Sequence, residues 1–315
     1  MPVIVTITFS PCIDKSISVD TLLPEIKLQC TTPKLQAGGG GINVARAVTK
    51  LGGNAVAIFP SGGYTGKHLN KLLADENIPS VIIEAENETR ENIILMETST
   101  NQQFRFGMPG TLLKETEWMK VLDQVAAISD AAFFVVSGSL PPGVPEDIIA
   151  RISAIARPKK IKIIADTSGP ALKYAVREGV YLLKPNLREL STLAGHTFLK
   201  SGEIIPAARK IIRKGGCEVM VVSLGGGGAM LVTDTIATHI IPPPIKVRST
   251  VGAGDSMVAG IALALSKEED IVAAAQYGVA CGSAAAMNPG ADLCRKEDAD
   301  ALFIQIMLSS QREIA

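Results

Sequence analysis

Short, almost wholly apolar runs alternate with amphipathic segments along most of this 315-residue chain. One amphipathic segment, 114–128, places Trp118, Val121 and Val125 on the same face of a helix. Strands that are covered on both faces of a parallel sheet have continuous apolar sequences. The apolar runs are AVAIF (55–59), AAFFVVSG (131–138), IKIIAD (161–166), YLLKPN (181–186) and EVMVVS (218–223). The alternation predicts the α/β class, with three α/β/α layers around a mainly parallel central sheet.

Two excursions interrupt this rhythm, at about 13–36 and 90–108, and neither has a helical pattern. TSTNQQ, inside the second excursion, has the composition of a hairpin tip between two strands. We therefore expect one domain over residues 1–315 from which a small β-sheet, built from both excursions, projects. Such a sheet beside an α/β domain is a candidate lid. The alternative is a pair of edge hairpins without a function of their own.

The composition narrows the classes of function. Lysine and arginine total 31, as do aspartate and glutamate, so the formal net charge is zero. Binding to nucleic acid or to a membrane surface requires a basic excess, and the charge balance argues against both. MPVIVTITFS predicts a first strand rather than a signal peptide, and no apolar run approaches the roughly 20 residues that cross a bilayer. Five scattered cysteines without a CxxC pair favour free thiols and a cytoplasmic location.

The first chemical motif is AGGGGINVARAVTKLGG, at 37–53. Four consecutive glycines would be costly in a regular element, so they indicate a tight backbone or close approach to a ligand. An amphipathic helix follows, and Asn43 lies in its first turn, where the amide can bond a hydroxyl group. The motif therefore suits a polyol such as a sugar. A glycine-rich loop that only permits close packing is the alternative.

The second motif is TVGAGDSMVAG, at 250–260. Gly252 to Asp255 supply backbone N–H groups at a helix start, which is an anion site for a phosphoryl group. We expect the helix dipole to keep Asp255 ionised, so that its carboxylate accepts a proton from an attacking hydroxyl. The alternative is that Asp255 is only the N-cap of the helix.

Two further segments suit a nucleotide. SLGGGGAMLV (223–232) has the pattern of a glycine-rich hairpin, which can pass close to a nucleotide or be a plain hairpin. KPNLREL (184–190) closes a strand and opens a helix. Its Asn186 and Glu189 are three residues apart on one helical face and can orient a hydrated Mg²⁺.

Basic residues of the excursions indicate a phosphorylated sugar. Lys27, Arg90 and Arg105 lie in or beside the expected small sheet, and arginine suits a bidentate phosphate contact. A neutral sugar requires no such cation. A dehydrogenase is disfavoured, because no G-x-G-x-x-G follows the first strand.

Together these motifs are similar to the PfkB-type, or ribokinase-like, family of carbohydrate kinases, over essentially the whole chain. The family signatures stand here as GGGGINVARAVTKLGG, STVGAGDSMVAG and KPNLREL, while ITFSPCIDKS, SGSLPPG and FRFGMPG are similar to its phosphosugar branch. The resemblance implies the ribokinase-like fold with a small β-sheet lid. It also implies ATP, Mg²⁺ and K⁺ as cofactors, and a homodimer formed through the lid.

The resemblance also implies roles for individual residues. Asp255 would be the catalytic base, with Gly252, Ala253 and Gly254 as the anion hole. The sugar phosphate would be held by Asp14, Lys27, Gly39, Gly40, Asn43, Arg90 and Ser139. The ATP site would include Lys184, Asn186, Ser223, Gly225, Gly228, Val247, Val279 and Ser283, with Glu189 and Asn186 on the Mg²⁺ side. A monovalent cation would be held by Ser249, Val251, Ala285, Asn288 and Gly290. The common family pattern has Asp-Thr at the position of Ser249-Thr250, so this ion site lacks that carboxylate.

The expected activity is transfer of a phosphoryl group from ATP to the 1-hydroxyl of fructose 6-phosphate, as in glycolysis. Tagatose 6-phosphate and fructose 1-phosphate are alternative acceptors, because one sequence does not determine the stereochemistry of a pocket. A non-catalytic sugar-phosphate sensor is an alternative from another class, although a sensor needs neither Asp255 nor the anion hole. Exposed Ile93, Leu95 and Phe104 on the small sheet would be covered by a second copy of the chain.

Overall fold

Two β-sheets form the framework of the computed structural model, which describes residues 2–312. The strands are β1 (Ile4–Ile7), β2 (Cys12–Val19), β3 (Lys34–Gly38), β4 (Ala55–Gly62), β5 (Ser80–Ala85), β6 (Arg90–Glu97), β7 (Gln102–Phe106), β8 (Phe133–Ser137), β9 (Lys162–Asp166), β10 (Val180–Leu183), β11 (Cys217–Ser223), β12 (Ala229–Val232) and β13 (Ala237–Ile240). The large sheet has the order β13-β12-β11-β10-β9-β8-β1-β4-β5. Its strands run parallel from β11 to β5, and β12 and β13 add an antiparallel edge. The predicted mainly parallel sheet is confirmed.

Helices cover both faces of the large sheet. They are α1 (Gly40–Lys50), α2 (Gly63–Asp75), α3 (Glu115–Ala127), α4 (Ile148–Ala156), α5 (Gly169–Glu178), α6 (Leu187–Leu193), α7 (Ser201–Arg213), α8 (Ala253–Ser266), α9 (Ile271–Ala286) and α10 (Lys296–Arg312). Side chains of α1, α2, α8, α9 and α10 pack in one apolar core, and those of α3, α4, α5 and α7 pack in the other. The three-layer prediction is therefore confirmed.

Strand β8 shows why its sequence is continuously apolar. Phe133 and Val135 belong to the core beneath α1 and α8, whereas Phe134 and Val136 belong to the core beneath α3 and α4. Successive side chains of a strand point to opposite faces. Because both faces are covered, every position of the strand is buried, and an apolar residue is favoured at each.

The small sheet has the order β3-β2-β6-β7, and its strands come from both predicted excursions. β2 pairs with β6 in parallel, and the outer strands β3 and β7 are antiparallel to their neighbours. One face carries Asp14 and Asn92, which form a cross-strand pair, and the other carries Lys15 and Ile93. A sheet assembled from two separate excursions is thus present, while its role as a lid stays a prediction.

The apolar residues on the outer face of the small sheet, which is the face that carries Ile93, are less exposed than expected. Ile93 and Phe104 are half-buried, and Leu95 is only 7% exposed, so the prediction that Leu95 is exposed is wrong. In the strand register, Leu95 lies between Ile17 and Phe104 on the neighbouring strands. Phe106, on the same face, is 45% exposed.

Strand β1 is the point at which the order of the large sheet reverses. The chain moves from β1 to β4 and β5 on one side, and then to β8, β9 and β10 on the other. In open α/β sheets, ligands bind beyond the carboxyl ends of the strands at such a point. In residues 2–312 no helix is long and apolar enough to cross a membrane.

Candidate active site

Polar residues gather at the carboxyl ends of the central strands. Ser137 and Asp166 end β8 and β9, and Lys184 directly follows β10. The start of α8 faces the same edge, because a Cβ at Gly254 would lie only 3.5 Å from Lys184 Nζ. The edge therefore combines carboxylate, ammonium and free helix N–H groups.

The second motif forms the start of α8. Gly252 is the N-cap, with a φ of 73° that favours glycine, and Asp255 is the third residue of the helix. The alternative in which Asp255 is the N-cap is therefore wrong. The first N–H groups of a helix have no intrahelical partner, so those of Ala253 and Gly254 are available to an anion.

The two glycine-rich motifs meet at Asp255. Asn43 Nδ2 in the first turn of α1 donates a hydrogen bond of 2.9 Å to Asp255 Oδ2, although the residues are 212 positions apart. This contact joins the predicted sugar motif to the predicted phosphoryl motif.

Burial determines the protonation of Asp255. Burial, together with the nearby Asp166 carboxylate, raises the pKa of this carboxyl from 3.8 to about 7, although Asn43 and Lys184 oppose the rise. The expectation that the helix dipole holds Asp255 ionised left out this burial, which favours the protonated carboxyl. A carboxyl with this pKa exchanges a proton readily near neutral pH.

Lys184 and Asp166 form a buried ion pair beside Asp255. Lys184 Nζ lies 3.0 Å from Asp166 Oδ1. Burial lowers the pKa of Lys184, but the carboxylates of Asp166, Asp255 and Glu189 outweigh this and raise it above its ordinary value. Sequence reasoning missed Asp166. The available signal was an acid at the end of the apolar run IKIIAD, at the ligand-binding edge of a parallel sheet.

The glycine run allows α1 to approach β8. A Cβ at Gly40 would lie 2.4 Å from Ser137 Oγ and 2.6 Å from Gly138 N, closer than any side chain is tolerated. Gly39 has a φ of 107°, which an L side chain rarely adopts. Ser139 is exposed just beyond β8.

Asp14 faces the glycine run from the small sheet. It is 6% exposed and accepts a 3.0 Å hydrogen bond from Asn92 Nδ2. A Cβ at Gly38 would lie 2.4 Å from Asp14 Oδ2, so a side chain at this position would displace the carboxylate. Asp14 is also close enough to raise the pKa of Asp255. The structure thus brings Asp14, Asn43 and Asp255 together.

The predicted phosphate-binding cations have different surroundings. Arg90 is half-buried, donates to Met108 O at 2.7 Å and Ser10 O at 3.3 Å, and has a buried Nε without a protein partner among the described residues. Lys27 lies exposed in the loop between β2 and β3, and no contact joins it to the other site residues described in this chain. Arg105 donates to the hydroxyl of Thr250. Arg90 is thus placed near Asp14, and Lys27 is not.

Asn186 and Glu189 form a capping box at the start of α6. Glu189 N donates to Asn186 Oδ1 at 2.9 Å, and Asn186 N donates to Glu189 Oε2 at 2.8 Å. Burial raises the pKa of Glu189, and the nearby Asp166 carboxylate adds to the rise. Capping accounts for these residues without a metal, so their role toward Mg²⁺ stays a prediction.

The other residues predicted for the ATP site range from exposed to buried. Ser223, at the end of β11, forms a bridge with Asn186, and Gly225 and Gly228 belong to the turn before β12. Val247 is 56% exposed, and Ser283 is half-buried on α9. Val279 is 1% exposed inside the core, and its place in the ATP site stays a prediction.

Of the predicted cation residues, Ser249 and Val251 lie in the loop before α8, and Asn288 and Gly290 lie in the loop after α9, next to Ala285 in the last turn of that helix. Ser249 Oγ donates to Gly290 O at 2.6 Å and accepts from Val251 N at 3.2 Å. Asn288 N donates to Ala285 O at 3.0 Å. These oxygens are neutral, and within residues 2–312 no cluster of three or more His, Cys, Asp or Glu could hold a metal ion.

The small sheet holds both of these loops, a feature that sequence reasoning missed. Gln103 Nε2 on β7 donates to Ser249 Oγ at 3.0 Å. Lys34 Nζ and Gln36 Nε2 on β3 donate to Asp292 Oδ1 at 2.6 and 2.8 Å. Polar side chains at alternate positions of β3 and β7 were the available signal, but their partners are distant in the sequence.

The chain is similar to known proteins over nearly its whole length. The family profile described as pfkB family carbohydrate kinase matches residues 6–298. The chain is 42% identical, over 301 residues, to ATP-dependent 6-phosphofructokinase isozyme 2 of Escherichia coli strain K12, covering 95% of this chain and 97% of that protein. The crystal structure of phosphofructokinase-2 from Escherichia coli in complex with potassium has a TM-score of 0.94 and 42% identity, over 98% of this chain and 100% of that one. The same enzyme in complex with fructose-6-phosphate has a TM-score of 0.92 and 40% identity, with coverage of 98% and 100%.

Proposed function

The chain belongs to the pfkB family of carbohydrate kinases, and from this membership we propose that it is an ATP-dependent 6-phosphofructokinase. It transfers a phosphoryl group from ATP to the 1-hydroxyl of fructose 6-phosphate and so forms fructose 1,6-bisphosphate. The similarity to 6-phosphofructokinase isozyme 2 supports this substrate. The observation that carries the chemistry is the Asn43–Asp255 contact at the start of α8, where a buried carboxyl and free helix N–H groups stand side by side.

Asp255 is the proposed general base. The 1-hydroxyl oxygen forms a bond to the γ-phosphorus, the bond from that phosphorus to the bridging oxygen of ATP breaks, and the hydroxyl proton moves to the Asp255 carboxylate. The N–H groups of Ala253 and Gly254 donate to the oxygens of the transferred group. The carboxylate and the N–H groups therefore act on different atoms of one reaction, which explains why an acid lies beside an anion site.

The sugar phosphate is proposed to bind between the glycine run and the small sheet. Asp14 and Asn43 can bond its hydroxyl groups, alongside Gly39, Gly40 and Ser139. Arg90, whose buried Nε has no protein partner among the described residues, has a donor to spare for the 6-phosphate. Lys27 would have to reach this phosphate from an exposed loop, so its role depends on movement of that loop or on a second chain.

The residues on the opposite side of Asp255 suit a nucleotide with its metal. Lys184 lies beside the amides of α8, where it can contact the phosphates, and the neighbouring carboxylates of Asp166 and Glu189 are ligands that Mg²⁺ prefers. Mg²⁺, when bound, would neutralise charge on the β- and γ-phosphates. The hydroxyl and carbonyl oxygens of Ser249, Ala285 and Gly290 suit a monovalent cation such as K⁺, whose charge would act on the loop before α8.

Initial rates with ATP and three acceptors test the substrate. We expect the highest kcat/KM with fructose 6-phosphate, and lower values with tagatose 6-phosphate and fructose 1-phosphate. Product formation is followed by coupling release of ADP to oxidation of a nicotinamide cofactor. A strong preference for fructose 1-phosphate would overturn the substrate assignment. Tight binding of fructose 6-phosphate without turnover would favour the sensor alternative.

We also propose that the small sheet acts as a lid over one domain and pairs with a second copy of the chain. The contacts from β7 to Ser249 and Thr250 support a sheet that bears on the active-site loops. The partly exposed Ile93, Phe104 and Phe106 on its outer face support pairing. A cytoplasmic location, expected from the scattered cysteines, belongs to the same proposal.

Phe106→Asp tests the pairing. A charge in the middle of a paired apolar face must be desolvated, so we expect the dimer to become a monomer in light scattering coupled to gel filtration. Met119→Asp is the matched control, because Met119 on α3 is 47% exposed and lies away from the small sheet. A parent chain that is monomeric, or a Phe106→Asp variant that stays dimeric, would contradict the proposal.

A further inference from the structure

Arg46 is a buried cation without a role in the mechanism above. Its side chain is 2% exposed, within α1. A buried charge is unfavourable unless it is paired and fully hydrogen-bonded. Arg46 is paired and hydrogen-bonded, since Nη2 and Nε donate to the two oxygens of Glu76 at 2.6 and 2.9 Å, and Nη1 donates to Ala37 O at 2.6 Å.

The same Nη1 also donates to Asn43 Oδ1 at 3.3 Å. Guanidinium groups only donate, so the Asn43 amide must direct its oxygen toward Arg46. Its other end, Nδ2, then faces Asp255 Oδ2 at 2.9 Å. If the amide turned over, its NH₂ group would face the guanidinium and its oxygen would face the carboxylate, and both contacts would be repulsive.

We propose that Arg46 is a positioning residue, which holds the Asn43 amide so that it donates to the ionised carboxylate of Asp255. The inference rests on the proposed function, since it assigns Asp255 the role of base. Glu76, whose carboxylate is 31% exposed beyond the end of α2, anchors Arg46 from the far side. A chain of contacts thus runs from Glu76 through Arg46 and Asn43 to the reacting carboxylate.

This series of contacts influences the pKa of Asp255 and therefore the pH dependence of kcat. Burial sets the high pKa of Asp255, Asp166 and Asp14 raise it further, and the Asn43 hydrogen bond and Lys184 lower it. The Cys12 thiol also lies close enough to interact with Asp255, and burial raises the pKa of that thiol well above its ordinary value. Without Arg46 the Asn43 bond is no longer enforced, and the pKa of Asp255 rises.

Arg46→Met removes the donors and keeps a long apolar side chain. We expect the acid limb of the kcat–pH profile to move up by about one pH unit, which lowers kcat at pH 6 by about tenfold. The KM for ATP should be unchanged, because Arg46 lies on the Asn43 side of Asp255. Arg213→Met is the control, since it removes an exposed, ion-paired arginine at the end of α7 and should leave the acid limb at the parental pH.

A double substitution separates positioning from stability. In an Asn43→Ala background, adding Arg46→Met should leave the acid limb where Asn43→Ala alone puts it. The inference would be overturned if Arg46→Met kept the acid limb of its kcat–pH profile at the parental pH. It would also be overturned if the double variant moved the limb beyond its position in Asn43→Ala. If Arg46→Met does not fold, Arg46→Lys replaces it in the test. We expect its acid limb to move to higher pH by less than in Arg46→Met. An Arg46→Lys limb at the parental pH would contradict the inference.

The rates are measured with whichever of the three sugar phosphates the parent enzyme phosphorylates fastest. A parent that prefers fructose 1-phosphate therefore overturns the substrate assignment and leaves the test of Arg46 intact. A parent that prefers fructose 6-phosphate, combined with an unshifted Arg46→Met limb, overturns only the role of Arg46.

Discussion

Asp255→Asn is expected to lower kcat by about 10³-fold, within the range that general-base catalysis contributes. Asparagine has nearly the same shape, and its Oδ1 can still accept from Asn43, so the site should keep its geometry. The amide cannot accept the hydroxyl proton, which is the reason for the loss. Steady-state rates at saturating ATP and sugar phosphate, at pH 8, measure the effect.

Asp123→Asn is the matched control, because Asp123 is an exposed carboxylate on α3 far from the site, and its kcat should equal that of the parent. The parent should also show an acid limb near pH 7, with kcat falling about tenfold per pH unit below it, because only ionised Asp255 accepts a proton. Residual activity of Asp255→Asn should lack this limb. An asparagine variant as active as the parent would remove Asp255 from the role of base.

The free energy of unfolding should fall with rising pH over the range in which kcat rises. Because burial raises the pKa of Asp255 from 3.8 to about 7, the folded state favours the protonated carboxyl. This contribution to the free energy of unfolding is fully present below about pH 4 and is lost as the pH rises through 7. Asp255→Asn is neutral at all these pH values, so its Tm should exceed that of the parent at pH 8 and match it at pH 4.

Lys184→Met is expected to lower kcat/KM by about 10²-fold, comparable to the loss of one preorganised donor to a transition state. The ammonium lies 3.0 Å from Asp166 and beside the amides of Gly254, and it lowers the pKa of Asp255. Its removal leaves the Asp166 carboxylate uncompensated next to the base. The acid limb should therefore also move to higher pH, which a full pH profile of the variant measures.

A second substitution distinguishes these two effects of Lys184. In Lys184→Met/Asp166→Asn both charges are absent, so the acid limb should return toward the parental pH while the rate stays low. Lys120→Met, at an exposed lysine of α3, is the control for loss of a lysine charge. A Lys184→Met variant with a parental rate and a parental limb would contradict both the contact with phosphate and the influence on Asp255.

The fold was predictable from local patterns of residues in the sequence. Phe133 to Val136 are all apolar because helices cover both faces of β8, and that pattern is visible in a single segment. The small sheet was predictable in the same way, because strands without helices between them stand out in 13–36 and 90–108. Gly39 and Asp255 were recognisable because a glycine run and a lone acid at a helix start are unusual choices of residue.

Features that depend on residues distant in the chain were not predictable. Leu95 was expected to be exposed and is buried, between Ile17 and Phe104 on strands that are distant in the sequence. The burial of Val279 in the core was not predictable either, because the face that a helix buries depends on what packs against it, and its place in the nucleotide site stays a prediction. The spacing of Asn186 and Glu189 is compatible both with a metal site and with a capping box. Only the structure shows the capping hydrogen bonds.

The sequence by itself determined the α/β class, the two excursions and the positions of the two glycine-rich motifs, since each depends on short-range periodicity or on backbone freedom. Only the tertiary structure decided how protons and charges are arranged at the site. The pKa of Asp255 follows from burial and from Asp166 and Lys184 at the ends of neighbouring strands. The direction of the Asn43 amide follows from Arg46, which Glu76 of another element anchors. Desolvation and Coulomb interactions act through space, so they are set by which segments the fold brings together.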